Sequence, residues 1–461
     1  MQKILLLIAS LFYFNFILAE NEIKSWQGIH ETPLSCLEQQ FAEPPVEFAN
    51  HVIWGWEGKM DKKTICNDLD SIKKKGFRAV IFEAGYKLPF KYLSEEWFKA
   101  IRTGVLEAKK RGMKVWIIDE GKYPSGFAGG KFSQERPDLR MQALVIGDTI
   151  QIKRGEVMTN HKIAPEIISA VAVSTSGAPN RTVAINNGEI SFNAGLDDWK
   201  VLLVKSDFRT AVTRAVNNPN GGKDATNSLC DYLNPIAVQQ FIDWTHEQYK
   251  KYLGKELGTT VLGFRGDEPD YAHLPWTPSI VQTFKETKGY DPTPYLASFF
   301  TASPTIQEQR VKADYWDVWS SLFATHFFKL QADWCAANGV AHITHLNKEH
   351  EMPACVKAEG DYFRNLSKVQ IPGVDAIWNQ IWPGTLNDFP KLASSVAHVY
   401  GKPRAFSESF AAYHISPTIP QAKFVVDHQI ARGINFFEFM FWLAGSKHRN
   451  WMSDPGMKGL N

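Results

Sequence analysis

Eight short apolar segments, separated by amphipathic stretches, constrain the fold of this chain most strongly. Between the first two, Ile65, Leu69 and Ile72 repeat at helical spacing, and Asp68 is expected to face water on the opposite side. Alternation of this kind predicts an α/β fold, a (β/α)8 barrel of the TIM type rather than an open sheet. The predicted strands are 52–56, 79–83, 115–119, 261–265, 341–345, 374–378, 404–407 and 435–439.

One region interrupts the alternation. Short alternating segments such as IISAVAV and WKVLLVKS are separated there by Gly, Asn and Pro, without a helical pattern. We therefore expect a β-rich subdomain at 140–227, inserted after the third strand, with the barrel formed by 20–139 and 228–461. Only a short polar, Gly-rich stretch follows the eighth strand. The C-terminal end is accordingly predicted to be truncated.

The N-terminus and the charge balance limit location and partners. A Lys at position 3 precedes an apolar run that ends at Ala19, so 1–19 is predicted to be a secretory signal peptide. The protein is expected to be secreted or periplasmic, without stable membrane insertion after cleavage; an uncleaved anchor is the alternative. Lys and Arg number 51 against 49 Asp and Glu, which argues against nucleic acid as a partner.

Two carboxylates are the leading candidates for chemistry. They are Glu268 in GDEP at the end of strand four and Glu408 in SESF at the end of strand seven, while Asp267 beside Glu268 is predicted to bind substrate. In a barrel of this type functional residues lie at the carboxyl ends of the strands, so these groups can face one another across a pocket. A single acid at a strand end is often only a solvated charge. A facing pair is what glycosidic cleavage requires of its acid and its base or nucleophile.

Other strand ends offer further binding groups for a carbohydrate. Asp119 and Glu120 follow strand three, where they could contact substrate or equally cap the amides of the Gly-rich loop PSGFAGG. His345 in HITHLNKEHEMP could donate to sugar hydroxyls, since the His spacing fits no standard zinc motif. Trp378 and Trp442 are predicted to help wall an aromatic cleft, although each alone is more typical of packing.

Oxygen ligands predict a hard cation rather than zinc. Calcium would suit the carboxylates of Asp119, Glu268, Asp375 and Glu408, and Glu351 is a possible further donor. The chain has no GxSxG, P-loop or dinucleotide-binding GxGxxG signature. Esterase, kinase and dehydrogenase functions are therefore disfavoured.

Several segments together resemble glycoside hydrolase family 106, the α-L-rhamnosidase family. They include IWGWEGKMDKKTICNDLDSIKKKGFRAVIFE, KVWIIDEGKYPSGFAGG, FRGDEP, AHVYGKPRAFSESF and HQIARGIN, spread over about 50–441. The resemblance implies a secreted or periplasmic barrel that hydrolyses terminal α-L-rhamnosyl linkages of plant or algal polysaccharides or glycosides. It also implies inversion of the anomeric centre and a calcium ion that binds the sugar hydroxyls.

The resemblance also suggests residue roles. Glu268 and Glu408 match the positions of the catalytic carboxylates, with Glu408 assigned as general acid and Glu268 as general base, or the reverse. For calcium, Asp375 in PGVDAI stands where a longer Glu is expected, a departure from the family pattern. Two alternatives stay open: a retaining glycosidase of a related barrel family, and a truncated, non-catalytic carbohydrate-binding barrel.

Overall fold

A computed structural model describes residues 33–444, apart from positions 86, 122, 210–212, 215–222, 225–227, 270, 272–273, 386 and 414–416. The predicted signal peptide and the tail after strand eight lie outside the described residues. Among the helices that are described, none is both long enough and apolar enough to cross a membrane.

The strands are numbered in chain order. They are β1 (His51–Trp56), β2 (Ala79–Ala84), β3 (Lys114–Ile118), β4 (Gln142–Ile152), β5 (Val157–Lys162), β6 (Ile167–Ser174), β7 (Arg181–Thr182), β8 (Ile185–Asn186), β9 (Glu189–Asn193), β10 (Trp199–Phe208), β11 (Thr213–Arg214), β12 (Lys223–Asp224), β13 (Val261–Gly266), β14 (Pro275–Trp276), β15 (Ala341–Thr344), β16 (Ile371–Ala376), β17 (Phe406–Ser409) and β18 (Phe436–Leu443).

The α-helices are numbered in the same way. They are α1 (Leu34–Ala42), α2 (Lys62–Lys74), α3 (Glu95–Lys110), α4 (Lys131–Glu135), α5 (Pro235–Trp244), α6 (His246–Leu253), α7 (Ile280–Lys288), α8 (Ile306–Leu322), α9 (Lys329–Ala337), α10 (Met352–Glu359), α11 (Tyr362–Leu366), α12 (Pro390–Val399) and α13 (Ile419–Ile430). A π-helical turn over 323–328 joins α8 to α9.

All eight predicted barrel strands form, and they close into a parallel barrel in the order β1-β18-β17-β16-β15-β13-β3-β2. The barrel prediction is therefore confirmed. Register places Asp375 of β16 beside Glu408 of β17, and Glu408 beside Glu438 of β18. Three acidic residues thus share one level of the barrel wall.

The β-rich insertion after the third strand is also confirmed. Strands β14, β4, β10, β6 and β7 form a five-stranded sheet in that order, while β5, β9 and β8 form a second sheet. A separate apolar core that includes Phe192 and Trp199 packs within this region.

In helix α2, hydrophobic periodicity alone did not predict the environment of Asp68 correctly. Asp61 caps it, since its carboxylate accepts a hydrogen bond from the Thr64 amide. Asp68, which we expected to face water, is instead buried and accepts a hydrogen bond from Trp54 Nε1 at 3.2 Å. The indole of β1 requires a polar partner in the core, and Asp68 supplies it.

Candidate active site

A cavity of about 290 Å³ opens at the carboxyl ends of the barrel strands. This volume is at the lower end of the range that small-ligand sites occupy. Its wall is strongly acidic. Six carboxylate side chains line it: Glu83, Asp267, Glu268, Glu349, Asp375 and Glu408.

Arg265 of β13 is the counter-charge at the base of this cavity. Its fully buried guanidinium forms ion pairs with Asp267 at 2.7 Å, with Glu438 at 3.2 Å and with Glu408. Burial acts to raise the pKa of Asp267, but the charge of Arg265 and the interactions with His345 together outweigh it and hold that pKa well below its usual range. Burial raises the pKa of Glu438 to about 7.

His345 follows β15 directly and joins the same group. Its Nε2 lies 2.9 Å from Arg265 Nη2, 3.3 Å from Glu408 Oε2 and 3.4 Å from Asp267 Oδ1. Burial and Arg265 both act to lower its pKa, yet hydrogen bonds to Asp267, Glu349 and Glu408 raise it well above the usual value. The imidazole thus connects the guanidinium of Arg265 with the carboxylates of Asp267 and Glu408.

Glu268 lies in a contrasting environment. Burial, followed by the negative charge of Asp267, raises its pKa to about 8. It forms a side-chain hydrogen bond with Asp375, whose own pKa is raised well above its usual value by burial and by Glu408. This pair therefore retains a proton at neutral pH.

Backbone strain is concentrated around the cavity. Four of its lining residues, Glu268, Lys348, Trp378 and Ala412, have a left-handed backbone although none is glycine. Such conformations cost about 1–3 kcal/mol each and persist where the surrounding structure enforces them, commonly at functional sites.

Asp119 and Glu120 lie outside the lining of this cavity, and of the two roles considered for them the structure shows contacts with the Gly-rich loop. Glu120 is buried and accepts hydrogen bonds from the amides of Gly121, Ala128 and Gly129, so it caps the Gly-rich loop. Asp119 accepts a hydrogen bond from Ser125 Oγ at 2.6 Å. Burial raises the pKa of Asp119 to about 7 and that of Glu120 to about 8.

The predicted aromatic cleft reduces largely to one tryptophan. Trp378 lines the cavity and is 47% exposed. Trp442 is buried in the core between barrel and helices, and its neighbour Phe441 lines the cavity instead. Met440 and Phe441 both line the cavity, so the alternation of β18 breaks between them and Trp442 falls on the outer side of the strand.

The two predicted metal ligands are separated. Asp375 lines the cavity, and its buried Oδ1 has no hydrogen-bond partner among the described residues. Glu351 is exposed, outside the lining, and its nearest ionic contact is His350 at 3.9 Å. Glu349 turns inward instead, where it accepts a hydrogen bond from the Leu346 amide.

Sequence reasoning missed Arg265, Glu83 and Glu349 as site residues. Arg265 could have been found, because strand alternation puts it on the same face as Asp267. Glu83 ends a predicted strand, a position that carries function in this fold. Glu349 had no comparable signal, since the irregular turn after β15 decides whether Glu349 or Glu351 points inward.

A parallel barrel whose mouth holds carboxylates in two contrasting charge states offers the acid pair that glycosidic cleavage requires. Comparison with known proteins gives the family. The model of glycoside hydrolase family 106, described as alpha-L-rhamnosidase, matches residues 181–442, more than half of the chain. The chain belongs to this family.

Two individual proteins illustrate the similarity. A solved rhamnosidase from Novosphingobium sp. PP1Y superposes with a TM-score of 0.67 at 15% identity, covering 88% of this chain and 56% of that one. A curated protein of Formosa agariphila, named "Putative beta-glucuronidase", is 24% identical over 477 residues, covering 91% of this chain and 39% of the relative. The chain thus spans about two fifths of that relative's length.

Proposed function

We propose that the chain is an α-L-rhamnosidase that releases terminal α-L-rhamnosyl groups from plant or algal polysaccharides or glycosides, with inversion. The proposal depends above all on the contrast between Glu268, which keeps a proton, and Glu408, which is paired with Arg265. A secreted or periplasmic location accompanies it, from the predicted signal peptide.

The electrostatics favour Glu268 as the general acid and Glu408 as the general base. This reverses the first of the two assignments considered from sequence. A general acid must be protonated near neutral pH, as the half-buried Glu268 beside Asp375 is. We assign Glu408 as the general base because its carboxylate, unlike that of Glu268, pairs with the guanidinium of Arg265.

The reaction then follows from these two groups. Glu268 donates its proton to the glycosidic oxygen as the bond to the anomeric carbon breaks. Glu408 takes a proton from a water molecule that attacks the opposite face of the sugar. The product sugar has the inverted configuration, and the leaving group departs as an alcohol.

Calcium is proposed as a cofactor of this site. The unpartnered Oδ1 of Asp375 and the inward-facing carboxylate of Glu349 are oxygen donors of the type that calcium prefers. Asp375 and Glu349 would hold the ion, which would supply positive charge to bind sugar hydroxyls. Glu268 is left out of this set, because an acid catalyst must keep its proton.

The acidic wall argues against a uronic acid as the sugar that is cleaved. A glucuronosyl carboxylate would enter a cavity that already contains six carboxylates, while Arg265 is occupied by two of them and by the buried Glu438. Repulsion of this kind disfavours an anionic sugar in the glycone position. Rhamnose is neutral and has no such penalty.

The test is hydrolysis of p-nitrophenyl α-L-rhamnoside and p-nitrophenyl β-D-glucuronide by the purified chain, with the released anomer followed by NMR. Glu408→Gln should abolish rhamnoside hydrolysis. Glu268→Gln should reduce hydrolysis less for an activated aryl leaving group than for a sugar leaving group, because the acid assists only poor leaving groups. Glu351→Gln, a change at an exposed acid outside the cavity, is the matched control.

Each alternative predicts a different result. Release of the retained anomer would support a retaining enzyme, and folded protein that binds rhamnosides without turnover would support a binding barrel. Cleavage of the glucuronide alone would overturn the proposal. Full activity in both Glu268→Gln and Glu408→Gln would refute the assignment of these residues as general acid and general base.

A further inference from the structure

The cavity has an acidic interior and a mouth of different chemistry. Glu83, Glu349, Asp375 and Glu408 are buried, whereas Lys348 and His350 are exposed although they line the same cavity. An enzyme that removes terminal sugars binds the terminal sugar at the closed end of its cavity. Side chains at the open end therefore meet the group from which that sugar is cleaved.

The turn that presents Lys348 is fixed by hydrogen bonds. Lys348 has a φ of 64°, and its carbonyl accepts a hydrogen bond from the Glu351 amide at 2.9 Å. The Asn347 amide donates to Glu359 Oε1 at 3.2 Å, and the next residue, Glu349, is held inward by the Leu346 amide. The left-handed backbone thus turns Lys348 outward while its neighbour points into the cavity.

The ammonium group of Lys348 forms no ion pair with any residue that the structure describes, although six carboxylates line the same cavity. Five of those carboxylates contact other groups of the protein. Asp267 and Glu408 pair with Arg265, Glu268 pairs with Asp375, and Glu349 accepts from Leu346. The lysine charge is therefore available to a group on the ligand.

Two neighbouring side chains complete the mouth. Trp378, 47% exposed, offers a flat apolar face of the kind that packs against a sugar ring. Gln380 Nε2 lies 2.9 Å from His350 Nδ1, which fixes a second polar group beside it. The mouth thus combines an aromatic surface, a free cation and hydrogen-bonding groups.

We propose that Lys348 and Trp378 form a binding site for the leaving group and that this site selects an anionic sugar, one that carries a uronate carboxylate or a sulfate ester. The inference rests on the proposed rhamnosidase function. The substrate is then a neutral terminal rhamnose linked to an acidic sugar. The acidic interior selects the first of these sugars, and the basic mouth selects the second.

The experiment compares three disaccharides with the same linkage: α-L-rhamnosyl glucuronate, α-L-rhamnosyl glucose, and the latter bearing a sulfate ester on its glucose. Lys348→Met should lower kcat/KM about threefold to fivefold on an anionic disaccharide, the effect expected of one exposed charge pair. It should leave the neutral disaccharide unchanged. Lys348→Arg should keep the preference, and added salt should weaken it.

Lys391→Met is the matched control, because Lys391 is an exposed lysine of α12 outside the cavity lining. A preference for the glucuronate alone or for the sulfate alone identifies the acidic group. Equal kcat/KM on all three disaccharides, unaffected by Lys348→Met, overturns the inference while p-nitrophenyl α-L-rhamnoside hydrolysis upholds the proposed function.

If that aryl rhamnoside is not cleaved, the proposed function fails, and calorimetric binding of the three disaccharides decides the inference separately. Tighter binding of an anionic disaccharide, lost in Lys348→Met, supports the site. Equal or absent binding of all three overturns it.

Discussion

Arg265 and Glu438 meet at the centre of the barrel, with Arg265 Nε 3.2 Å from Glu438 Oε2 and both side chains fully buried. Glu438 comes from β18, and Arg265 also pairs with Asp267 and Glu408 at the cavity floor. One guanidinium thus connects the strand that closes the barrel with the acids proposed for catalysis. Stability and activity should both depend on it.

Arg265→Met should destabilise the protein by roughly 3–5 kcal/mol, because it leaves three carboxylates without their counter-charge. Glu438→Gln should cost less than about 1 kcal/mol, since an amide oxygen can still accept from Arg265 and the pKa of Glu438 is already about 7. Urea unfolding of both variants at neutral pH measures the difference. Equal losses would contradict the shared role of Arg265.

Ser125→Ala tests how the Gly-rich loop holds the catalytic segment. Ser125 Oγ donates to Asp119 Oδ1 at 2.6 Å and accepts from the Asp267 amide at 2.7 Å. The variant should lose about 1–3 kcal/mol of stability, because Asp119 loses its donor. It should also lower kcat about tenfold, since the segment 267–268 loses an anchor.

Ser394→Ala is the control for this experiment. Ser394 is also buried and donates to the Arg432 carbonyl at 2.6 Å, on the outer helix α12 rather than at the cavity. It should lower stability without changing kcat. An unchanged kcat in Ser125→Ala as well would show that the loop contributes only to folding.

The sequence predicted the barrel well because each of its strands can be recognised from a short local segment. Each buried parallel strand is a short apolar run, and the carboxyl ends of such strands must converge, which brought Glu268 and Glu408 to one cavity. The β-rich insertion was readable for the same reason, since its segments have no helical periodicity.

Side-chain direction beyond the strands was not predictable in this way. Glu120 faces the amides of its own loop, and Glu349 rather than Glu351 points inward, because irregular turns set these directions. Trp442 was misplaced because the alternation of β18 breaks between Met440 and Phe441, which both line the cavity. Arg265 was overlooked because a cation within a strand resembles an ordinary charge until its three partners from distant segments are brought together.

Buried carboxyls should make the protein less stable as pH rises from 5 to 8. In the folded state burial holds several pKa values at about 7 or 8, far above those of the unfolded chain, so the folded state binds more protons in this interval. The stability that these groups contribute is fully present below the pKa values they have in the unfolded chain. It is lost as pH rises through their pKa values in the folded state. The groups concerned are Asp119, Glu120, Asp231, Glu268 and Glu438.

Buried His51 and His342, whose pKa values burial lowers to about 3, oppose this trend below about pH 6.5, so the decline should be steepest just above that pH.

Asp231→Asn isolates one contribution. Asp231 accepts from Thr277 Oγ1 and the Leu233 amide, and burial raises its pKa to about 7. The stability of the wild type relative to Asp231→Asn should decrease from pH 5 to 7 and stay constant above. A pH-independent difference would refute this.

Calcium should bind through Asp375 and raise the melting temperature. A ligand that binds only the folded state at a hundredfold excess over its Kd stabilises by about 2.7 kcal/mol. Differential scanning fluorimetry with calcium, magnesium or a chelator measures this without reference to activity. Asp375→Asn should abolish the calcium-dependent shift, because it removes the charge beside the unpartnered Oδ1.

Glu349→Gln should weaken the same shift, because its carboxylate is the second proposed ligand, whereas Glu351→Gln should leave it intact, since Glu351 lies exposed outside the cavity. The three variants thus distinguish a site inside the cavity from calcium bound to the surface. A full shift in Asp375→Asn would place any bound calcium elsewhere. Equal shifts with magnesium would contradict a site built for calcium, because magnesium demands a smaller, more regular oxygen shell.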